Sequence, residues 1–126
     1  MTTDRSDPFV ERTVSSFFDG ERLRSIPTRR RARVAVLLHL LLRFEVGRSY
    51  SEREVDEILR TAHDDVASLR RNLVDYGYLV RPGGVYSVPG TVPGRSADEA
   101  QEVPADEAAR LAAIPRAGSE RPPISR

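Results

Sequence analysis

The chain contains no cysteine among its 126 residues. Disulfides and thiolate zinc sites are therefore excluded, and a reducing interior is the compartment that suits such a sequence. Long hydrophobic runs are also missing, because the longest apolar stretch, residues 34 to 42, is far shorter than the roughly 20 residues of a membrane-spanning helix. The N-terminal stretch MTTDRSDPF lacks the apolar core of a secretory signal. We therefore predict a cytoplasmic protein that does not enter a membrane.

Lysine is missing too, and all 20 basic residues are arginine. They are nearly balanced by 19 acidic residues, so that the formal net charge is only +1. Residues 8 to 88 carry a net charge of +3, from 14 arginines and 11 acidic residues. Because nucleic-acid-binding domains are often more basic than this, the charge favours DNA binding only weakly.

Histidine is scarce, with His39 inside the longest apolar stretch and His63 next to Asp64 and Asp65. Adjacent residues on a helix point about 100° apart, so this acidic run does not converge on one ion. The sequence also has no glycine-rich phosphate loop and no nucleophile spacing typical of an enzyme. We therefore predict no catalytic residue, no metal site and no cofactor.

The composition divides the chain into a flexible N-terminus over residues 1 to 7, one domain over residues 8 to 88 and a tail over residues 89 to 126. The tail holds six of the nine prolines and almost no large apolar residues, so it is expected to bury too little surface to offset the entropy of ordering. We predict that it is disordered and that residues 105 to 114 form a short helix only on a partner. A chain ending at Pro89 should then melt within a few degrees of the full chain.

Hydrophobic periodicity and turn residues divide the domain into a regular order of elements. The predicted order is a helix over 8–18, an extended connector, a long helix over 28–44, a short strand over 46–50, a helix after the capping box of Ser51 and Glu54, a helix ending before Gly77, and two short strands around Gly83 and Gly84. The predicted fold class is mainly α with a small β-hairpin. It is a winged helix-turn-helix with an N-terminal helical extension and a disordered C-terminal tail.

The long helix over residues 28 to 44 is apolar on nearly all sides, with Leu38 and Leu42 lying away from its main apolar face. A helix of this kind must be covered on more than one side. Either the N-terminal helix covers the second side, or the helix forms the seam of a homodimer.

Residues 17 to 88 resemble the bacterial family catalogued as domain of unknown function 2087. The resemblance rests on FFDGERLRSIP, FEVGRSYSEREVDEIL and HDDVASLRRNLVDYGYLVR, together with the closing Gly-Gly pair and Tyr86. More generally, residues 28 to 88 are similar to the winged helix-turn-helix of bacterial regulators. Some members of the family are fused to a separate DNA reader, so the resemblance implies a place in transcriptional regulation without supplying an activity.

Seven arginines and one serine form the predicted nucleic-acid interface. Four of the arginines crowd the start of the long helix and oppose its dipole by about 0.3–1 kcal/mol each, a cost that a phosphate backbone would offset. The alternative is a solvated basic face paired with the acidic helix at residues 52 to 57. On the recognition helix and wing, two side chains would reach base edges and two would reach phosphates. The predicted residues are Arg29, Arg30, Arg31 and Arg33, Ser68 and Arg71 for bases, and Arg70 and Arg81 for phosphates.

Two carboxylates at the start of the recognition helix allow a different interpretation. Asp64 is predicted to be the N-cap and Asp65 to favour the first turn. Such a start would also dock on a basic protein surface. The predicted function is therefore transcription-associated DNA binding, and the alternative is a module that binds a regulatory protein partner without contacting DNA.

Overall fold

The computed structural model describes residues 8 to 117, and this part of the chain is mainly helical. The elements are α1 Pro8–Phe17, β1 Phe18–Asp19, β2 Arg22–Leu23, α2 Arg30–Leu40, α3 Glu52–Arg60, α4 Val66–Asp75, α5 Ala97–Ala100 and α6 Glu107–Ala112, with single 3-10 turns at Leu41–Arg43 and Pro82–Gly84. The predicted class, mainly α with a small β-hairpin, is confirmed. In the described range every helix is too short or too polar to cross a membrane.

The hairpin lies earlier in the chain than predicted. Phe18 pairs with Leu23 and Asp19 with Arg22, so the first strand begins where the predicted helix over 8–18 was to end and the second lies in the predicted extended connector. Gly20 turns the chain with a φ of +65°. Both ends of the pairing reach the core, because Phe18 and Leu23 are buried.

Helix α2 is the centre of the core, and its residues 34 to 38 and Leu40 are all nearly inaccessible to solvent. α1 packs along one side of it and α6 along another. The predicted cover of α2 by the N-terminal helix is therefore present. Together with the other elements of the chain, it buries Leu38. Leu42 is 44% exposed. A homodimer seam stays a prediction.

Helices α3 and α4 begin with side-chain caps. The predicted capping box of α3 is confirmed, because the Ser51 hydroxyl accepts from the Glu54 N–H and the Glu54 carboxylate accepts from the Ser51 N–H. α4 begins later than predicted, and its N-cap is Asp65, which accepts the Ser68 N–H at 3.2 Å. The assignment of Asp64 as the cap is wrong, because the side chain that accepts the helical N–H is that of Asp65, while the Asp64 carboxylate lies 3.5 Å from the Arg22 guanidinium.

The two strands predicted around Gly83 and Gly84 form only a short arm, which we call the wing-like arm, residues 80 to 87. Val80 and Ser87 exchange two backbone hydrogen bonds of 3.0 and 2.9 Å across the 3-10 turn at Pro82–Gly84. Tyr86 exchanges two bonds of 2.8 Å with Tyr50, which lies in the predicted short strand between α2 and α3. The two predicted strands are thus reduced to isolated bridges.

Residues 89 to 117, which we call the C-terminal segment, are part of the domain. Leu111 and Ile114 are both 2% exposed in the core, and Val46 bonds to the backbone of residues 115 and 117. Gly90 passes so close that a Cβ there would lie 2.6 Å from Val46. The predicted disordered tail is therefore wrong for residues 89 to 117, because two well-placed apolar side chains fill a gap beside α2. Residues 1 to 7 and 118 to 126 lie outside the described residues.

Candidate functional site

The exposed side of α4 carries almost balanced charge. Arg71 and Asp75 are exposed, as is Val74 at 40%. Ser68 is half-buried, and its hydroxyl donates to the Asp65 carboxylate at 2.8 Å. Ser68 is therefore engaged in capping the helix, and Arg71 is the predicted base-reading side chain that remains exposed on α4.

The two predicted phosphate contacts beside this face are held by carboxylates of α3. Arg70 forms a hydrogen-bonded ion pair with Asp56, both about one-fifth exposed, and lies 3.7 Å from Glu52. The Arg81 guanidinium lies 4.0 Å from the same Glu52 carboxylate and donates to the Tyr86 hydroxyl at 3.2 Å. The Arg70 charge is largely offset by its half-buried partner, whereas the pair of Arg81 and Glu52, with both side chains more than half exposed, is weaker. The acidic start of α3 therefore reduces the positive charge that α4 and the wing-like arm would offer to phosphates.

The start of α4 is acidic and is not arranged to bind a metal. Hydrogen bonds from the Ser68 hydroxyl and N–H lower the pKa of Asp65, which keeps it ionised. The His63 Nδ1 accepts the Asp65 N–H at 3.0 Å, and Asp64 lies 3.5 Å from the Arg22 guanidinium. These side chains have separate partners, and residues 8 to 117 contain no cluster of acids and histidines that could hold a metal ion.

The start of α2 breaks the usual rules for a helix N-terminus. Arg29 is the N-cap residue, and its side chain makes no capping hydrogen bond. The first turn contains arginines and no acidic residue, although the helix dipole favours negative charge there. Positions that break local rules are often functional, which makes this end of α2 a candidate site.

Two of the arginines at this end are held within the domain. Arg30 forms an ion pair of 2.9 Å with Glu102 of the C-terminal segment. The Arg33 guanidinium donates to the carbonyl oxygens of Pro27 and Thr28 at 3.1 and 2.7 Å. The compensating acid therefore comes from the C-terminal segment. The sequence had suggested helix 52–57, whose acids pair with Arg70 and Arg81 instead.

The other two arginines border a groove. Arg31 lies over the Phe9 ring, 4.4 Å from its centroid, and Arg29 is exposed. Beside them is a cavity of about 650 Å³ between α1 and the start of α2, which we call the entry groove. Its lining residues are Phe9, Thr13, Phe17, Ser25, Ile26, Pro27, Thr28, Arg29, Arg31 and Ala32.

Replacing Arg29 with serine is expected to raise the free energy of unfolding by about 1 kcal/mol. The backbone at Arg29 is already extended, as an N-cap requires, so a serine hydroxyl would accept a helical N–H. The change also removes a positive charge from the positive end of the helix dipole. Urea denaturation measures the gain, and Arg29→Gln, which removes only the charge, should gain less. A loss of stability in both variants would show that the Arg29 side chain supports the helix.

His39 is predicted to make stability depend on pH. Its ring packs edge-on against Phe18, with centroids 4.9 Å apart, and burial followed by the charge of Arg43 lowers its pKa. Its contribution is therefore present above its unfolded pKa of about 6.5 and is lost as pH falls through the lower folded pKa. His39→Gln should flatten this acid-side decline in unfolding free energy. Parallel curves for the two proteins would contradict the assignment.

Sequence reasoning missed one buried polar cluster, formed by Arg95, Glu107 and Tyr78. The Glu107 carboxylate accepts from Arg95 at 2.7 Å and from the Tyr78 hydroxyl at 2.5 Å. The Arg95 and Glu107 side chains are only 8% and 7% exposed. Burial, followed by the Glu107 hydrogen bond, raises the pKa of Tyr78, so the phenol keeps its proton. The available signal was the spacing of Glu107 four residues before the apolar Leu111, which puts both on one face of α6.

The structure thus divides the predicted interface into two groups. Arg29, Arg30, Arg31 and Arg33 gather at the start of α2, while Ser68, Arg70, Arg71 and Arg81 lie on α4 and the wing-like arm. Each group includes bound carboxylates, Glu102 in the first and Glu52 with Asp56 in the second. Glu102 also accepts from the Tyr76 hydroxyl at 3.2 Å, so an acid stands where the start of α2 meets the end of α4.

The sequence profile of one family, described as "Uncharacterized protein conserved in bacteria (DUF2087)", matches residues 22 to 88, more than half of the chain. No curated protein and no solved structure matches the chain. The matched range contains both groups of arginines, and it leaves out α1 and the C-terminal segment.

Proposed function

The chain belongs to this family of uncharacterised bacterial proteins, domain of unknown function 2087, and we propose that it is a non-catalytic regulatory domain that binds a protein partner through the exposed side of α4. The observation that carries the proposal is the pairing of Arg70 and Arg81 with the carboxylates of α3. Arg70 lies on α4 and Arg81 lies on the wing-like arm beside it, and their pairing with acids reduces what they offer to a phosphate backbone.

The order of elements supports the interpretation of residues 30 to 88 as a winged helix. A helix, the bridge residue Tyr50, two helices and the wing-like arm follow one another, and Tyr86 bridges back to Tyr50. In a winged helix-turn-helix the recognition helix is the element presented to the partner. In this chain that element is α4.

The chemistry of the presented surface suits a protein better than a nucleic acid. The N-cap of α4 is the exposed Asp65, which would repel phosphates, and Asp64 before it is paired with the exposed Arg22. α4 also exposes Val74, and the wing-like arm exposes Val85 at 46%. Acidic groups beside exposed apolar side chains fit a partner surface that combines arginine or lysine with apolar contacts. The resemblance to regulators makes a component of the transcription machinery the setting we propose.

Site-specific photocrosslinking tests this proposal. A benzoylphenylalanine replacing Arg71 should form a discrete, nuclease-resistant protein adduct in cells, whereas the same residue at exposed Arg53 of α3 should not. Val74→Arg should abolish the adduct, because it places a like charge against a basic partner. A nuclease-sensitive adduct at position 71, or equal adducts at both positions, would count against α4 as a protein-docking face.

Nucleic-acid binding is the second candidate, favoured by exposed Arg29 and Arg31 at the start of α2. If these two side chains contact phosphates, replacing both with alanine should weaken binding to every sequence. Each lost contact should reduce the log–log salt slope by about 0.9. Binding that responds to this change but not to Arg71→Ala would place any nucleic acid at α2 and leave the α4 proposal intact.

A further inference from the structure

We propose that the entry groove binds a small amphipathic anion, an apolar molecule that carries a single carboxylate. The site is separate from the exposed side of α4 and does not depend on the function proposed for that face. Its volume of about 650 Å³ lies within the range typical of small-molecule sites.

The floor of the groove is apolar. Phe9 and Phe17 contribute from α1, at positions two helical turns apart on one side of that helix. Ile26 and Pro27 contribute from the connector before α2, and Ala32 contributes from its first turn. The hydrocarbon part of a ligand would be removed from water when it packs on this floor, and this burial of apolar surface is favourable.

The rim of the groove is cationic. Arg29 and Arg31 both line it, and none of the described residues that line it is acidic. The Arg31 guanidinium carbon lies 4.4 Å from the centroid of the Phe9 ring, and the planar set of N–H donors of an arginine matches the geometry of a carboxylate. The start of α2 adds the positive end of the helix dipole to the same rim. The hydroxyls of Ser25 and Thr28, which also line the groove, add neutral donors.

The combination selects one chemistry. A lone phosphate or acetate would satisfy the arginines and leave the apolar floor wet, while an uncharged hydrocarbon would leave the arginines unpaired. A molecule with an apolar chain and one terminal carboxylate uses both parts. The arginines at the start of α2 oppose the helix dipole and so destabilise the helix. Binding of a carboxylate ligand would explain why they are there.

Calorimetric titration of the full chain with decanoate, below its micelle concentration, tests the site. We expect saturable binding of one decanoate per chain, at least about tenfold tighter than decyltrimethylammonium, which has the same chain and the opposite charge. Acetate, which has the charge without the chain, should not bind detectably. No saturable decanoate binding, or equal binding of the cationic amphiphile, would overturn the proposal.

Three variants locate the site. Arg29→Gln with Arg31→Gln should weaken decanoate binding at least about tenfold, because both guanidinium groups are lost. Thr28→Trp should block it by filling the groove with both arginines in place. The control, Arg53→Gln with Arg60→Gln, removes two exposed charges from α3 and should leave the affinity unchanged. Equal affinities in all three variants, each with an unchanged circular dichroism spectrum, would place the ligand elsewhere and overturn the assignment.

Discussion

A chain that ends at Pro89 is expected to melt at least roughly 15 °C below the full chain, or to lose cooperative unfolding. Truncation removes Leu111 and Ile114, which are each 2% exposed in the core. Deleting one such side chain costs about 2–5 kcal/mol, and each kcal/mol lowers the melting temperature of a domain of this size by roughly 4 °C. This outcome is the opposite of the small change that the composition of the tail suggested.

Calorimetry of two shortened chains separates this effect from truncation in general. A chain ending at Ala117 keeps every contact of the C-terminal segment described above and should melt close to the full chain. If the chain ending at Pro89 melted equally high, the burial of Leu111 and Ile114 would contribute nothing to stability. The C-terminal segment would then be a dispensable cover.

Glu107→Ala is expected to lower the free energy of unfolding by about 3–5 kcal/mol. Its carboxylate pairs with Arg95 at 2.7 Å, and both side chains are almost fully buried. Removing it leaves the Arg95 charge in the core without its partner and leaves the Tyr78 hydroxyl without its acceptor. Urea denaturation measures the loss.

A double-mutant cycle shows whether the loss comes from the pair. Arg95→Met with Glu107→Leu removes both charges and should recover most of the stability that Glu107→Ala loses, because apolar side chains can replace a buried ion pair at little cost. The control is the exposed pair Arg53 and Glu57, whose side chains are 88% and 60% exposed. Breaking that pair should cost under about 1 kcal/mol. Additive losses at Arg95 and Glu107 would show that the two charges do not stabilise each other.

Elements that depend on local chemistry could be predicted from the sequence. Ser51 and Glu54 stand three residues apart and cap α3 with each other, and Gly77 ends α4 with a φ of +79°. Each of these features needs only a few neighbouring residues. The error at Asp64 has the same local scale, because two adjacent aspartates offer the same capping chemistry and the helix begins one residue further along.

Elements that depend on distant partners could not be predicted. Glu107 looks like a solvated charge in a proline-rich tail until Arg95 and Tyr78 are brought to it. The exposure of Arg71 followed from helix periodicity. The partner of Arg30 did not, because Glu102 is 72 residues away. The sequence therefore identified the arginines as candidate site residues. The acidic partners of several of them were identified only from the structure.

The most direct test of the neutralised α4 face is a titration with mixed-sequence duplex DNA at about 20 mM salt, where non-specific attraction is strongest. We expect the wild-type chain to bind weakly at most and Arg71→Ala to change this little. Glu52→Gln with Asp56→Asn, checked for folding by circular dichroism, should bind more tightly because it frees Arg70 and Arg81. Tight wild-type binding that Arg71→Ala abolishes, with no gain in the double variant, would contradict the claim that α3 withholds these arginines from DNA.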